Sequence, residues 1–222
     1  MAEMVVGRPP FAIVEDGGGS ERLGLVCGFL GCDVRPFNPL LAALPRLLHV
    51  RRAFVDGDPL ARLIDFALLE SQEPRAGGEC VRLRLSEVMF VEVVRRYLAA
   101  LPAEQTGWLA GLRDSSIGRA LSCLHERPGD DWTLETLAKA VGLSRSTLAE
   151  RFTHFVGDPP MQYLTRWRMQ AAARLLADGQ AKVSAVAQQV GYDSEAAFSR
   201  AFKKAAGVPP AAWRSQYARP RS

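Results

Sequence analysis

The feature that most constrains this chain is a repeat of about fifty residues in its second half. Leu134, Leu137, Ala138, Val141 and Gly142 recur 49 positions later as Val183, Val186, Ala187, Val190 and Gly191. Beyond that glycine the offset becomes 50: Ser144, Leu148, Phe152, Gly157, Pro159 and Pro160 match Ser194, Phe198, Phe202, Gly207, Pro209 and Pro210. The second copy therefore has one extra residue in its turn, and both copies stop at Gly-x-Pro-Pro. Self-similarity of this kind marks a duplicated supersecondary unit.

Each copy reads as a short helix, a tight turn at glycine, and a longer helix. Ala138 and Ala187 are small enough to let the partner helix approach, and Gly142 and Gly191 suit the left-handed turn that ends the first helix. Ser144, and either Asp193 or Ser194, are suitable N-caps for the second helix. Leu148 with Phe152, and Phe198 with Phe202, stand four apart and set the buried face. This is the helix-turn-helix plan, whose second helix enters a major groove of DNA. A plain bundle of paired helical hairpins would satisfy the same spacing.

Charge bears on that choice. The chain of 222 residues has 28 basic and 24 acidic side chains, a net of +4, unevenly spread. Residues 1–113 hold 13 basic and 14 acidic groups, and residues 114–222 hold 15 and 10. From Arg145 to Arg221 the count is 12 against 5. A basic half beside a near-neutral half suggests that one end meets a polyanion while the other does something else. Two copies of the motif, both in the basic half and both with Arg or Lys on the outer face of the second helix, favour DNA over a plain bundle. Arginine outnumbers lysine 24 to 4, which favours planar bidentate contacts.

Composition excludes other classes. With 48% hydrophobic residues and 23% charged, the chain has the makings of a globular core, and 33 Gly plus Pro is ordinary usage. No apolar run approaches the roughly 18 residues needed to cross a bilayer. The start, Met1 to Pro10, has no basic stretch followed by a long apolar one, so the expectation is a cytoplasmic protein without a secretory signal. Cys27, Cys32, Cys80 and Cys123 make no CxxC pair, and His49, His125 and His154 are scattered. No metal site is therefore expected, and the cysteines read as reduced structural thiols. There is no nucleophile–base pair, phosphate-binding glycine loop or paired acid site, so the chain is expected to be neither an enzyme nor a cofactor binder.

Along the chain, Phe11–Val14 and Leu23–Leu30 are short apolar runs around the turn material Asp16–Ser20, which reads as a hairpin. Pro39–Leu44 reads as a short helix stopped by Pro45. Leu60, Leu63, Ile64, Ala67 and Leu68 form a helical stripe over about 59–70. After Pro74–Gly78, a second stripe runs through Leu85, Val88, Met89, Val91, Val93, Tyr97 and Leu98 to Pro102. Residues 102–114, with Pro102, Gly107, Gly111 and Asp114, read as a hinge or linker. Seven helices then follow at about 115–126, 134–141, 145–156, 160–177, 183–190, 194–206 and 210–217. Two isolated strands do not make a stable domain, so the hairpin needs further pairing.

The stretch Ala187 to Arg214, with Gly191-Tyr-Asp-Ser-Glu-Ala-Ala-Phe198 and Gly207-Val-Pro-Pro-Ala-Ala-Trp213, resembles the C-terminal signature of AraC/XylS-type transcriptional regulators. Tyr163-Leu-Thr-Arg-Trp-Arg-Met169 is similar to the start of that family's linker helix. Pro209 departs from the pattern, which more often has Ser or Thr there. The resemblance covers about 115–217. It implies a mainly α fold: a C-terminal seven-helix tandem helix-turn-helix domain over 114–222, with units at about 134–156 and 183–206 joined by a linker helix at about 160–177. Over 1–113, Leu25–Leu30, Asn38–Pro45 and Leu47–Val50 more loosely resemble the end of the family's cupin-type barrel. This part would be an α+β remnant of a cupin-like barrel plus dimerisation helices. Few strands precede it, so a small-molecule effector pocket is not expected.

What the resemblance implies for function is a sequence-specific DNA-binding transcription regulator, an activator by analogy, that reads two adjacent major grooves of double-stranded DNA per subunit. Expected base contacts are Arg145, Ser146, Ala149 and Glu150 on the first recognition helix, and Glu195, Ala196, Ser199 and Arg200 on the second. Glu150 could instead pair with an arginine of the protein. Arg151, Arg166, Arg168, Lys203 and Lys204 are expected at phosphates. Trp167 and Met169 are expected between the units as core. RNA polymerase and a second copy, docked through residues 59–100, are further expected partners; no membrane is. Two alternatives stand beside this reading. One is a shortened regulatory partner that dimerises with a full-length regulator and blocks it. The other is a DNA-repair methyltransferase of the Ada type, which the cysteine spacing disfavours.

Overall fold

Seven helices occupy the repeat region: α5 (Ser115–Glu126), α6 (Leu134–Val141), α7 (Arg145–Val156), α8 (Pro160–Ala177), α9 (Val183–Gln189), α10 (Glu195–Ala206) and α11 (Pro210–Tyr217). Their bounds follow from capping chemistry that the sequence states. Thr133 and Thr136 cap α6 reciprocally, the Thr136 N–H donating to Thr133 Oγ1 at 3.1 Å and the Thr133 N–H to Thr136 Oγ1 at 2.9 Å. Ser144 Oγ accepts from Thr147 N at 3.2 Å and opens α7, and Ser194, rather than Asp193, does the same for α10. Gly142 ends α6 at φ 72°, and Gly191 turns the second unit at φ 79°. Pro160 and Pro210 sit at the first position of α8 and α11, where a missing N–H costs nothing.

The computed structural model describes residues 12–13, 26–27, 36–50, 57–72, 75–102, 106–179 and 181–217. Ahead of the seven helices come β1 (Ala12–Ile13), β2 (Val26–Cys27), α1 (Pro39–Ala43), α2 (Pro59–Gln72), α3 (Gly78–Ala100) and α4 (Trp108–Arg113). The described part is mainly helical. The chain forms two compact units, residues 1–32 with 45–101, and residues 33–44 with 102–222.

In the first unit β1 pairs antiparallel with β2, Ala12 opposite Cys27 and Ile13 opposite Val26. The turn expected at Asp16–Ser20 lies outside the described residues. Helices α2 and α3 pack as a hairpin around Ala67 and Leu85, with Leu63, Val81 and Met89 against them. Buried Asp58 accepts from Leu60 N at 3.1 Å and ion-pairs with Arg96, which also reaches Glu92 at 3.2 Å. α3 begins at Gly78, earlier than the stripe suggests, because Gly77 at φ 78° completes the turn immediately before it.

The second unit holds two cores threaded by α8. Ile117, Leu121, Leu124, Leu137, Leu148 and Phe152 build the first, and α8 contributes Tyr163 and Leu164 to it. Val186, Val190, Phe198, Phe202 and Trp213 build the second, and α8 contributes Met169, Ala172, Ala173 and Leu176. One helix therefore belongs to both cores. The segment read as a hinge over 102–114 contains α4, with Leu109 and Ala110 buried and Trp108 Nε1 donating to the Tyr163 hydroxyl at 2.9 Å. Residues 108–113 are therefore a packed helix rather than hinge, while the division between the two units falls at Leu101 and Pro102. Asp114 then caps α5, accepting from Ser116 N at 3.1 Å and Ile117 N at 2.9 Å. Phe37, just before α1, packs in the first core, and its N–H donates to Gln170 Oε1 at 3.0 Å.

Candidate nucleic-acid interface

The buried pairs fix the outward faces. Leu148 and Phe152 on α7, and Phe198 and Phe202 on α10, are fully buried. Positions about a half-turn away must then face out. Arg145, Ser146 and Glu150 lie on α7 outside that pair, Arg145 and Ser146 exposed and Ala149 and Glu150 beside them on the same surface. On α10, Glu195, Ala196, Ser199 and Arg200 form the corresponding surface, and Lys203 and Lys204 extend it into the last turn.

Basic side chains of this unit fall into two groups, with Arg127 paired to Asp130 in the first and Arg174 of α8 exposed in the second. The first group is committed within the protein. Arg119 donates to Ser115 O at 3.2 Å and Val141 O at 2.8 Å, and Arg214 to Ala181 O. Arg151 ion-pairs with Asp114, the cap of α5. Arg166 ion-pairs with Asp158 and lies over the Phe37 ring, 4.1 Å from its centroid. Arg168 donates Nε to Pro128 O at 2.7 Å, Nη1 to Gly191 O at 3.2 Å and Nη2 to Asp130 O at 2.8 Å.

The second group makes no such bond among the described residues. It contains Arg145 and Arg200 on the recognition-type helices, and Lys203 and Lys204 beside the latter. Lys139 in the last turn of α6 and Lys182 at the start of α9 belong with them, and neither is among the residues expected from sequence. A signal for them exists there: the four lysines of the chain all fall in this unit. Glu150, for which pairing with a protein arginine is the alternative, forms no ion pair among the described residues.

Two side chains of α8 answer to packing rather than to bases. The Trp167 ring stacks on His125 with centroids 3.8 Å apart, and Met169 is buried in the second core. His125 Nε2 is 2.7 Å from the Tyr163 hydroxyl, and burial lowers its pKa from 6.5 to about 4, so the imidazole is neutral. The same burial raises the Tyr163 phenol above its usual range. Among the described residues Cys80 is an exposed free thiol and Cys123 a half-buried one, and no group of three or more His, Cys, Asp or Glu is placed to hold a metal ion. No helix of the described residues is long and apolar enough to cross a membrane.

An arrangement of two helix-turn-helix units, each offering on its second helix an arginine without a partner among the described residues, is chemically suited to a polyanion with hydrogen-bonding base edges. Residues 137–216 match the family model of a helix-turn-helix domain, and residues 2–99 that of a cupin. A protein of Streptomyces lividans named as a putative AraC-like transcription regulator is 39% identical over 219 residues, which is 95% of this chain and 70% of that protein. A protein of the same description from Streptomyces antibioticus is 39% identical over 217 residues, 94% of this chain and 70% of its own length. The DNA-binding domain of AdpA, a global transcriptional factor solved in complex with a target DNA, is 31% identical with a TM-score of 0.45, over 47% of this chain and 94% of that one.

Proposed function

The chain belongs to the AraC-like transcription regulators, and from that premise we propose that it binds double-stranded DNA sequence-specifically, with α7 and α10 each in a major groove. The observation that carries this reading is the arginine on the outward face of each second helix that has no partner among the described residues, in a unit whose other arginines are mostly tied to carboxylates and carbonyls. A guanidinium left unpaired and facing out is available for the bidentate contact to a guanine edge.

Arg145 and Arg200 are the principal base readers in this proposal, flanked by Ser146, Ala149 and Glu150 on α7 and by Glu195, Ala196 and Ser199 on α10. Lys203 and Lys204 supply phosphate contacts, joined by Lys139 and Lys182. Arg151 and Arg166 would first have to share or leave their aspartates, which ranks them below the lysines. Arg168 leaves the phosphate set, because three of its donors already serve backbone carbonyls. The long axis of α8, 18 residues, spans roughly 27 Å at about 1.5 Å per residue. That is close to the ~34 Å between successive major grooves on one face, so one chain would read two adjacent grooves.

In this reading the protein is a cytoplasmic regulator rather than an enzyme, and as an activator it would touch RNA polymerase while bound. Helices α2 and α3 would join two copies: Phe66, Leu69, Leu83, Val88 and Val91 are large apolar side chains left exposed on them.

Titration of a duplex selected from random DNA, at several salt concentrations, tests the proposal. Arg200→Ala should lose about 5- to 150-fold for that duplex, the equivalent of roughly 1–3 kcal/mol, while its binding to unrelated DNA changes little. Lys203→Ala should weaken both alike and reduce the salt slope by about 0.9 per phosphate lost. Weak binding everywhere, indifferent to Arg200, contradicts the proposal and favours a partner that acts by pairing with another regulator.

A further inference from the structure

The two helix-turn-helix units touch directly where two turns meet. Their main helix packing runs through α8, which packs on α5 and α7 on one side and on α9, α10 and α11 on the other. The direct contact joins Pro128–Asp130, before α6, to Gln189–Gly191, at the end of α9. A Cβ at Gly129 would sit 2.5 Å from the Gln189 carbonyl oxygen, and one at Gly191 would sit 2.8 Å from the Gly129 carbonyl oxygen. Any side chain at either position would push the turns apart.

Arg168 reaches this same place from α8. Its three bonds go to Pro128 and Asp130 in one turn and to Gly191 in the other, at 2.7, 2.8 and 3.2 Å. A planar guanidinium presents its donors in a fixed fork, so bonds to three carbonyls hold both turns in one mutual orientation. An ammonium on a flexible stem has no such fork. A Cβ on Gly191 would also meet the Arg168 guanidinium at 2.6 Å, so the glycine makes the room that the arginine fills.

We infer that Gly129, Arg168 and Gly191 form a joint that fixes the placement of α7 relative to α10 and so sets the spacing between the two groove sequences this chain accepts. The inference rests on the DNA reading proposed above. Arg168 is a positioning residue here: it touches no base, and it acts on recognition through the distance and rotation between two helices that do. The cost of a wrong spacing is geometric, since each added base pair turns the second site by about 36° around the duplex.

The test uses the full chain and the duplex selected by the wild type, with variants of that duplex carrying one base pair deleted, or one or two inserted, between the two contacted segments. The wild type should lose on the order of tenfold or more per inserted base pair. Arg168→Ala and Arg168→Lys should both flatten that profile, with the one- and two-pair insertions bound within about threefold of the original duplex. Thermal melting of each variant checks that it is folded. If Arg168→Ala does not fold, Gly129→Ala is read in its place: Gly129 is outside the left-handed region, so alanine strains only the joint.

A variant that weakens binding equally at every spacing would overturn the inference, since that is what a merely stabilising arginine does. A wild type with a flat profile would overturn it too. Failure of the wild type to select any duplex would instead remove the DNA reading, and the joint's role with it.

Discussion

His125 shows how one buried side chain ties chemistry to stability. The Tyr163 hydroxyl accepts from Trp108 Nε1 and shares a 2.7 Å hydrogen bond with His125 Nε2, and burial of this cluster holds the imidazole neutral. Its folded pKa is about 4 against 6.5 unperturbed, through burial. Between those two values the unfolded chain binds the extra proton, so stability rises with pH across that window. The contribution is fully present above about 6.5 and is lost as pH falls through about 4. The melting temperature should therefore drop between pH 6.5 and 4. The loss should be a few kcal/mol, since each tenfold difference in proton affinity between the folded and unfolded chain is worth about 1.4 kcal/mol. His125→Gln should remove most of that slope. Parallel pH profiles for wild type and variant would contradict the neutral imidazole.

The helices from Ser115 onward are legible in the sequence because three local signals agree: the duplicated spacing, the Ser and Thr caps, and the Gly-x-Pro-Pro stops. α4 is not. Gly107 and Gly111 read as breakers beside Pro102, yet Gly111 is buried inside the helix, where a Cβ would lie 3.3 Å from Phe155 Cβ. That glycine serves close packing, and the Phe155 that needs it belongs to a helix far along the chain. The same limit governs the interface. Outward faces of α7 and α10 follow from a 3.6-residue period once Leu148, Phe152, Phe198 and Phe202 are buried. Which arginines are already occupied does not follow, because the partners are tertiary: Asp114 for Arg151, and the 128, 130 and 191 carbonyls for Arg168. Of the five side chains that charge and helix position assign to phosphates, Arg151, Arg166 and Arg168 are engaged inside the protein. Lys139 and Lys182, outside that set, make no such bond among the described residues.

For the molecule as a whole, the two units carry different proposals. Among the described residues of the first, Ala67 and Leu85 pack with three neighbours between α2 and α3, and five large apolar side chains of these helices are exposed. Burying such a surface against a second copy is favourable at about 25 cal/mol per Å². Sedimentation at micromolar concentration should find a dimer for the wild type and a monomer for Val88→Glu. A wild type that stays monomeric contradicts pairing through these helices. The second unit carries the reading of DNA, with two cores on one shared helix, two outward arginines and one joint between the turns. If a single chain spans two adjacent grooves, a hydroxyl-radical footprint on the selected duplex should show it without intermediaries. Two protected windows are expected for each bound chain, about one helical turn or 10 base pairs apart on the same face, with the window under α10 lost in Arg200→Ala. A single window per chain, or two that Arg200→Ala leaves intact, would contradict the two-groove arrangement.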